Sequence, residues 1–283
     1  MAVSTTTTFN DLVGSIVSAN AQSAAYANRV FRQLVRGEAV PPGFNNITIP
    51  RFQALTAASL SEGVAPSSST WSSDGVVLTP VEYGVYVQIS KSALHGDPFS
   101  DLAPYGDQIG RAIAQKEDDL IIAAADFTEA KNVNGDALTV TDFLDGVAFL
   151  EASNAPGPYF AVFHPYSWSK LRKQFDADTY GPVGVQNVSG FGAGFPNMNS
   201  YVGSPYGIPC FISSRIAANG ATPTARDNLL FSREALGCAW VKDIGVDVDD
   251  NVVARAIDLM GWMSVHCDKL VDTYGVRLLD TLT

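Results

Sequence analysis

Four groups of residues have types and spacings that could carry chemistry. Asp247, Asp249 and Asn251 open like a calcium loop, which then needs glycine at the sixth place and glutamate at the twelfth. The chain puts Val252 and Asp258 there, so a solvated strand edge is expected instead. Glu117, Asp118 and Asp119 adjoin one another, but a di-metal helical site needs Glu-x-x-His partners and no histidine is near. A solvated acidic face is expected. Gly190, Gly192 and Gly194 form a G-x-G-x-G run that follows no clear strand and opens no helix, which argues for a loop and against a nucleotide cradle. His164 ends an apolar run before Pro165 and could serve as a base, yet no G-x-S-x-G serine and no plausible thiol accompany it. A hydrogen-bonding structural role is expected for it. No catalytic, cofactor-binding or metal site is therefore assigned.

The elements that would position such residues alternate in character along the chain. Phe9, Leu12, Val13, Ile16, Val17, Ala24, Phe31, Leu34 and Val35 recur near helical spacing, predicting an amphipathic helix over 9–36. Arg29, Arg32 and Arg36 would suit its C-terminal dipole and Gly37 would stop it. Residues 38–90 are rich in Pro, Gly, Ser and Thr. Strand signals at 44–51 and 81–90 bracket a polar stretch from Ser67 to Gly75, predicting a long two-stranded arm. Residues 100–125 carry the clearest helical pattern, capped by Ser100 or Asp101 and about 38 Å long at 1.5 Å per residue. Thereafter short elements alternate: a helix over 141–152 capped by Thr141, a strand over 159–163, a helix over 167–175, and strands over 209–213 and 228–231. A Gly-rich, nearly uncharged loop occupies 176–204, and the tail from 236 reads mostly as strand, including 252–265 and 274–279. The class is α+β, without an internal repeat and without simple doubly wound order.

Composition narrows the function classes further. The chain of 283 residues has 29 acidic against 18 basic residues, a formal net charge of −11, which opposes a general grip on nucleic acid. Cys210, Cys238 and Cys267 are irregularly spaced and form no C-x-x-C pair, so buried reduced thiols are expected rather than a disulfide framework or zinc site. Met1 to Thr5 carries no basic residue ahead of an apolar run, which predicts no signal peptide, and no apolar run approaches the roughly 18 residues of a membrane span.

Several short motifs then recur in a telling order. Ile49-Pro50, Ala54, Glu62-Gly63 and Leu78-Thr79-Pro80 fall in the β-arm, and Ser90-Lys91-Ser92-Ala93-Leu94 leads into the long helix. Phe163-His164-Pro165 followed by Leu171, then Gly203-Ser204-Pro205-Tyr206-Gly207-Ile208-Pro209, then Tyr274-Gly275-Val276-Arg277-Leu278 follow downstream. In that order and spacing the chain resembles the major capsid protein of tailed bacteriophages, with the Hong Kong 97-type fold. The resemblance implies an N-terminal arm (1–37), an extended loop (38–90), a peripheral domain with a spine helix (91–135), an axial α/β domain (136–235) and a β-rich return (236–283). It implies a non-enzymatic subunit that self-assembles into an icosahedral head shell around a viral genome, without cofactors, located in the virion and assembled in host cytoplasm. Expected partners are further copies in hexamers and pentamers, a portal, a scaffolding protein, a possible decoration protein and enclosed double-stranded DNA held without sequence specificity; no membrane is involved. Other readings are a cellular nanocompartment shell of the same fold, an α/β hydrolase using His164, and a tail or fibre protein, though the last usually shows repeats.

The physics of the arms agrees. A two-stranded ribbon is marginal alone in water and its edges need a partner. A 50-residue excursion is unusual inside one compact domain. Both the N-terminal helix and the β-arm are therefore expected to bury their apolar faces between subunits. The loop over 181–203, with almost no charge, is expected near a capsomer symmetry axis, because glycine allows close backbone approach. From Asp97 to Glu129 eight acids face only Arg111 and Lys116. The resemblance turns the long helix toward the lumen, where an acidic wall would not grip DNA.

Overall fold

The computed structural model describes residues 6–52, 59, 73–92, 103–133, 136–176, 200–216 and 225–281. The expected loop at 181–203 falls mostly outside these residues, as do Gly190, Gly192, Gly194 and the expected caps Ser100 and Asp101.

Two β-sheets share the structural burden. The first has strand order β1-β10-β11-β4, built from β1 (Arg36–Ala39), β4 (Val81–Ser90), β10 (Leu236–Asn251) and β11 (Ala256–Lys269). Its centre is the antiparallel pair β10–β11, with β4 antiparallel on one side and β1 parallel on the other. The long helix α2 (Ala103–Ala124) lies against one face of this sheet. There Ile109 and Ile113 pack with Tyr83, Val85, Val87 and Ile89 of β4 and with Leu259 and Met263 of β11. The alternation of β4 thus serves as an ordinary half-buried strand, with Glu82, Gly84, Tyr86 and Gln88 on the exposed face.

That pairing corrects the expected arm. The ribbon is real, but its strands are β2 (Ile47–Phe52) and β3 (Ser73–Leu78), joined in antiparallel register from Ile47↔Leu78 to Phe52↔Ser73. Thr79-Pro80 separates β3 from β4, because proline interrupts the ladder at that point. The apolar face of β4 then finds a helix in its own chain instead of a ribbon partner.

The second sheet has order β5-β12-β9-β6-β8-β7 and mixes parallel and antiparallel pairs. It comprises β5 (Ala130–Lys131), β6 (Tyr159–Phe163), β7 (Tyr201–Gly203), β8 (Cys210–Ile212), β9 (Ala225–Ser232) and β12 (Gly275–Thr281). Helices α3 (Val140–Ala152) and α4 (Pro165–Asp176) accompany it, and Phe143, Leu150, Phe163, Leu171, Leu230 and Leu278 form one shared apolar core. The cap of α3 is Thr139 rather than Thr141. A capping box needs an acid or amide three residues on, and Asp142 supplies it for Thr139. The Thr139 hydroxyl accepts from the Asp142 N–H at 3.2 Å, while the Thr139 N–H donates to Asp142 at 2.9 Å.

The N-terminal helix α1 (Thr6–Asn28) is shorter than its periodicity suggests. The chain turns over residues 29–35 and enters β1, so Gly37 lies in a strand and is not a helix stop. A Cβ on Gly37 would sit 2.3 Å from the Trp240 ring, which explains a glycine there. The helix buries Val17, Ala21 and Ala25 against α2, where backbone meets backbone: a Cβ on Gly110 would lie 2.2 Å from the Ala21 carbonyl oxygen. Beyond it, Phe31, Leu34 and Val35 enter a core with Ile121, Phe127, Phe160, Val162, Phe211 and Phe231, which ties the first sheet to the second. The expectation that the N-terminal helix lacks a core of its own is thereby overturned.

The cysteines also differ from expectation. Cys238 and Cys267 are register partners across β10 and β11, with Cα atoms 4.1 Å apart, and form a disulfide; Cys210 is buried and free. A separation of 29 residues says nothing until the hairpin register brings the two together.

Candidate assembly site

The functional question centres on how the N-terminal segment and the root of the β2–β3 ribbon are held. Successive residues on a helix point about 100° apart. Glu117, Asp118 and Asp119 therefore reach different partners, the first two at the turn after α1 and the third at Arg215, and the expected solvated acidic face does not exist. Glu117 is fully buried. Its carboxylate lies 2.6 Å from Arg29 Nε and 3.7 Å from Arg32 Nη1, and accepts from the Trp240 indole N–H at 3.0 Å. Arg29 and Arg32 also donate to Asp243 on β10, at 2.7 and 2.8 Å. Burial pushes Glu117 above its ordinary value even against the two guanidiniums. At Asp243 burial also pushes upward, but hydrogen bonds from Arg29 and Arg32 outweigh it and hold the carboxyl at about 2.

Asp118 explains where α1 stops. Its carboxylate accepts from the backbone N–H groups of Val30 at 3.3 Å and Phe31 at 3.2 Å. The last helical bond runs from the Arg29 N–H to the Ala25 carbonyl, and then a tertiary acceptor takes over. Burial raises Asp118 to about 7 despite these two bonds. Asp119 pairs with Arg215, whose Nε donates to it at 2.7 Å. Arg29 and Arg32, read as dipole partners of α1, are thus counter-charges for a buried acid on α2, whereas Arg36 pairs with Glu38 and Glu234. Two of the eight acids between 97 and 129 therefore face inward, which weakens the expected acidic wall.

The β2–β3 arm is held differently. Its base buries Ile49 and Leu78 against Val40, Ala239 and Leu270, and Arg51 donates to the Leu270 carbonyl at 2.8 Å. Val77 stays half exposed, at 51%. The expected burial of the arm between subunits concerns the part beyond Phe52 and Ser73, which apart from residue 59 lies outside the described residues.

The remaining candidates do not converge on chemistry. Asp247 accepts from the Trp262 indole N–H at 2.8 Å, Asn251 donates to Asp258 at 3.1 Å, and Lys91 pairs with Asp250 at 2.6 Å. Among the described residues no group of three His, Cys, Asp or Glu could hold a metal. His164 donates its backbone N–H to Asn228 at 2.8 Å, stacks on Tyr166, and touches the Arg226 guanidinium. Burial, then Arg226, lower its pKa. The nearby Ser167 hydroxyl donates to the buried Asp280 at 2.6 Å and is not aimed at the imidazole. Among the described residues no helix is long and apolar enough to cross a membrane.

A family described as phage capsid protein matches residues 74–263, well over half of the chain. This chain belongs to the phage capsid protein family. The capsid chain is a structural shell subunit rather than an enzyme, and the hydrolase reading of His164 falls with that. Solved structures bear out the expected α+β capsid fold. The capsid of cyanophage P-SCSP1u is 14% identical with a TM-score of 0.64, over 90% of this chain and 89% of that one. A chain in a structure of Mycobacterium phage Che8 is 15% identical with a TM-score of 0.62, over 88% of this chain and 90% of that one. A virus-like particle from Pyrococcus furiosus is 9% identical with a TM-score of 0.62, over 95% and 99%. No curated protein sequence matches the chain.

Proposed function

We propose that this capsid subunit builds the icosahedral head shell of a tailed phage, arranged in hexamers and pentamers around double-stranded DNA. The observation that carries the reading is the base of the ribbon: Ile49 and Leu78 are buried in the chain's own core, while Val77 beside them is half exposed. Such an arm gains stability by lying on a neighbouring copy. In this reading α2 with the first sheet is the peripheral unit, and the second sheet with α3 and α4 is the axial unit. The segment 181–203 belongs near a symmetry axis. A portal and a scaffolding protein are the further partners, a decoration protein being optional, and assembly takes place in the host cytoplasm.

Negative-stain imaging of the expressed chain tests this directly. Closed particles of uniform size are expected; a soluble monomer at high concentration would sink the reading. The nanocompartment alternative draws support from the Pyrococcus furiosus match and shares the fold. Particles purified from a natural source separate the two, since a head shell carries DNA and a portal while a compartment carries a cargo enzyme.

The shell is held without covalent links between subunits. No lysine precedes Lys91, so the ribbon lacks an amine nucleophile, and Lys91 itself is paired with Asp250. Arg51 cannot substitute, because a guanidinium stays protonated. Boiled, reduced particles should run as one band near 30.1 kDa, and a ladder of multiples would show a cross-link.

A further inference from the structure

Two of the connections between the sheets run side by side. The chain leaves β9 at Ser232 and starts β10 at Leu236, and it leaves β11 at Lys269 and starts β12 at Gly275. Between these connections the N–H groups of Leu270 and Val271 both donate to the Ala235 carbonyl, at 2.8 and 3.2 Å. Cys238 and Cys267 sit two residues inside the adjoining strand ends, opposite each other, with Cα atoms 4.1 Å apart. Their disulfide therefore lies at the neck where the first sheet passes to the second. Cys267 packs both against the core that joins the sheets and against the core under α2.

Backbone pairing holds these strands with or without that bond. The β10–β11 ladder runs in register on both sides of it, from Leu236↔Lys269 to Trp240↔Val265, and β1 pairs with β10 at Cys238. A chain of 283 residues buries enough surface to fold without staples, and three cysteines do not make a disulfide scaffold. The two sulfurs differ in access. Cys238 is fully buried between β1 and β11, whereas Cys267 is partly exposed. Thiol exchange proceeds by attack of a thiolate on an accessible sulfur, so the way in is Cys267. Cys210 is the contrast: it is fully buried, its thiol donates to the Ile208 carbonyl at 3.5 Å, and burial pushes its pKa up. Such a thiol forms little thiolate and stays inert.

We infer that Cys238 and Cys267 are a reversible thiol–disulfide site, reduced in the newly made chain and closed by a low-molecular-weight disulfide such as glutathione disulfide. In closing, the Cys267 thiolate attacks one sulfur of the small disulfide and expels one small thiol. Cys238 then attacks the Cys267 sulfur and expels the second. Two protein thiols and one small disulfide become one protein disulfide and two small thiols, so electrons and protons balance. Reduction runs backwards along the same path, with the incoming thiolate taking Cys267. Closed, the site adds a covalent tie beside the two hydrogen bonds at Ala235. It also restricts the unfolded chain across a separation of 29 residues, so the closed form melts higher. The inference concerns a single subunit and stands apart from the shell reading.

The test counts thiols in the full chain, whether or not it assembles. Chain released from cells into denaturant with excess iodoacetamide should carry three alkylated cysteines. Folded chain incubated with glutathione disulfide and then denatured and alkylated should carry one, on Cys210, with a peptide linking Cys238 to Cys267 in its digest. A phosphine reductant applied to the folded, oxidised chain should restore all three. Oxidation should raise the melting temperature by about 5 °C or more. Cys267→Ser should melt with the reduced parent under both conditions, and the thiol count decides the matter without any variant. A disulfide already complete in freshly released chain would overturn the inference. So would three free thiols after the oxidant, a glutathione adduct that stays on Cys267, a link to Cys210 or between chains, resistance to the phosphine, or equal melting of the two forms.

Discussion

The N-terminal helix and the β-arm raise the same question in the sequence and receive opposite answers in the fold. Both carry apolar faces. From Val17 onward the helix is held within its own subunit: Val17, Ala21 and Ala25 lie against α2, and Phe31, Leu34 and Val35 complete a core that joins the two sheets. The described root of the arm has Ile49 and Leu78 buried and Val77 half exposed. One segment is therefore part of the fold, and the other is the one proposed above to reach a neighbour. The difference lies in buried charge. Glu117, Asp118 and Asp243 bind the turn after α1 through both side chains and backbone. The arm root has a single cation, Arg51, paired at the surface with Asp74 at 2.5 Å. Exposed pairs of that kind contribute only about 0–1 kcal/mol.

Deletion breaks the comparison most severely. Removing residues 1–37 takes Phe31, Leu34 and Val35 out of the core, and each large buried side chain is worth about 2–5 kcal/mol. That approaches the roughly 5–15 kcal/mol stability of a whole domain, so the truncated chain should be insoluble or unfolded by circular dichroism. Joining Phe52 to Ser73, which are register partners, through an Asn-Gly turn removes the arm beyond its root. That variant should melt within a few degrees of the parent and fail to close particles. Particles from the first variant, or none of these defects in the second, would reverse the roles assigned to the two segments.

A smaller effect sharpens the role of charge. Arg29→Met leaves Glu117 buried with its main partner gone and should cost about 3–5 kcal/mol in denaturant unfolding. Adding Glu117→Met should recover most of that loss, because an apolar pair of similar size needs no counter-charge. Additive losses in the double variant would mean that the two side chains do not interact.

The smallest expected effect is in pH. Asp118 titrates at about 7 in the fold, above the ordinary 3.8, so the folded state binds its proton more tightly than the unfolded chain. Its contribution is fully present below pH 3.8 and is lost as pH rises through about 7. Asp243 behaves in the opposite sense: its contribution is present above 3.8 and is lost as pH falls through about 2. Between pH 4 and 7 the Asp118 slope stands alone of the two. Asp118→Asn keeps an acceptor for Val30 and Phe31 but cannot titrate. Its stability should decline less than the parent's between pH 4 and 7 in urea unfolding, and parallel curves would place the titration elsewhere.

Much of this was legible in the chain. Period-2 alternation marked Val81–Ser90 to the residue, a short apolar run marked Tyr159–Phe163, and the long helical pattern marked α2 to within a few residues. Those signals are local: each comes from one element burying one face. The motif order pointed to the capsid family for a similar reason, because turns and strand starts repeat where the backbone must bend. What only the tertiary structure decided depended on which element met which. Alternation in β4 shows that the strand needs a core but not that α2 provides it, so the ribbon was assigned the wrong second strand. Helical spacing from Phe9 to Val35 continues past Asn28, yet the helix ends there because the Asp118 carboxylate, 88 residues on from Val30, takes its next two N–H groups. Three adjacent acids read as a solvated face until a helix turned each toward a different partner. Cys238 and Cys267 had no relation until the β10–β11 register placed them opposite each other. Sequence fixes periodicity, which is a property of neighbours along the chain; the choice of partner across space belongs to packing, where distant residues compete for the same acceptor, the same face or the same charge.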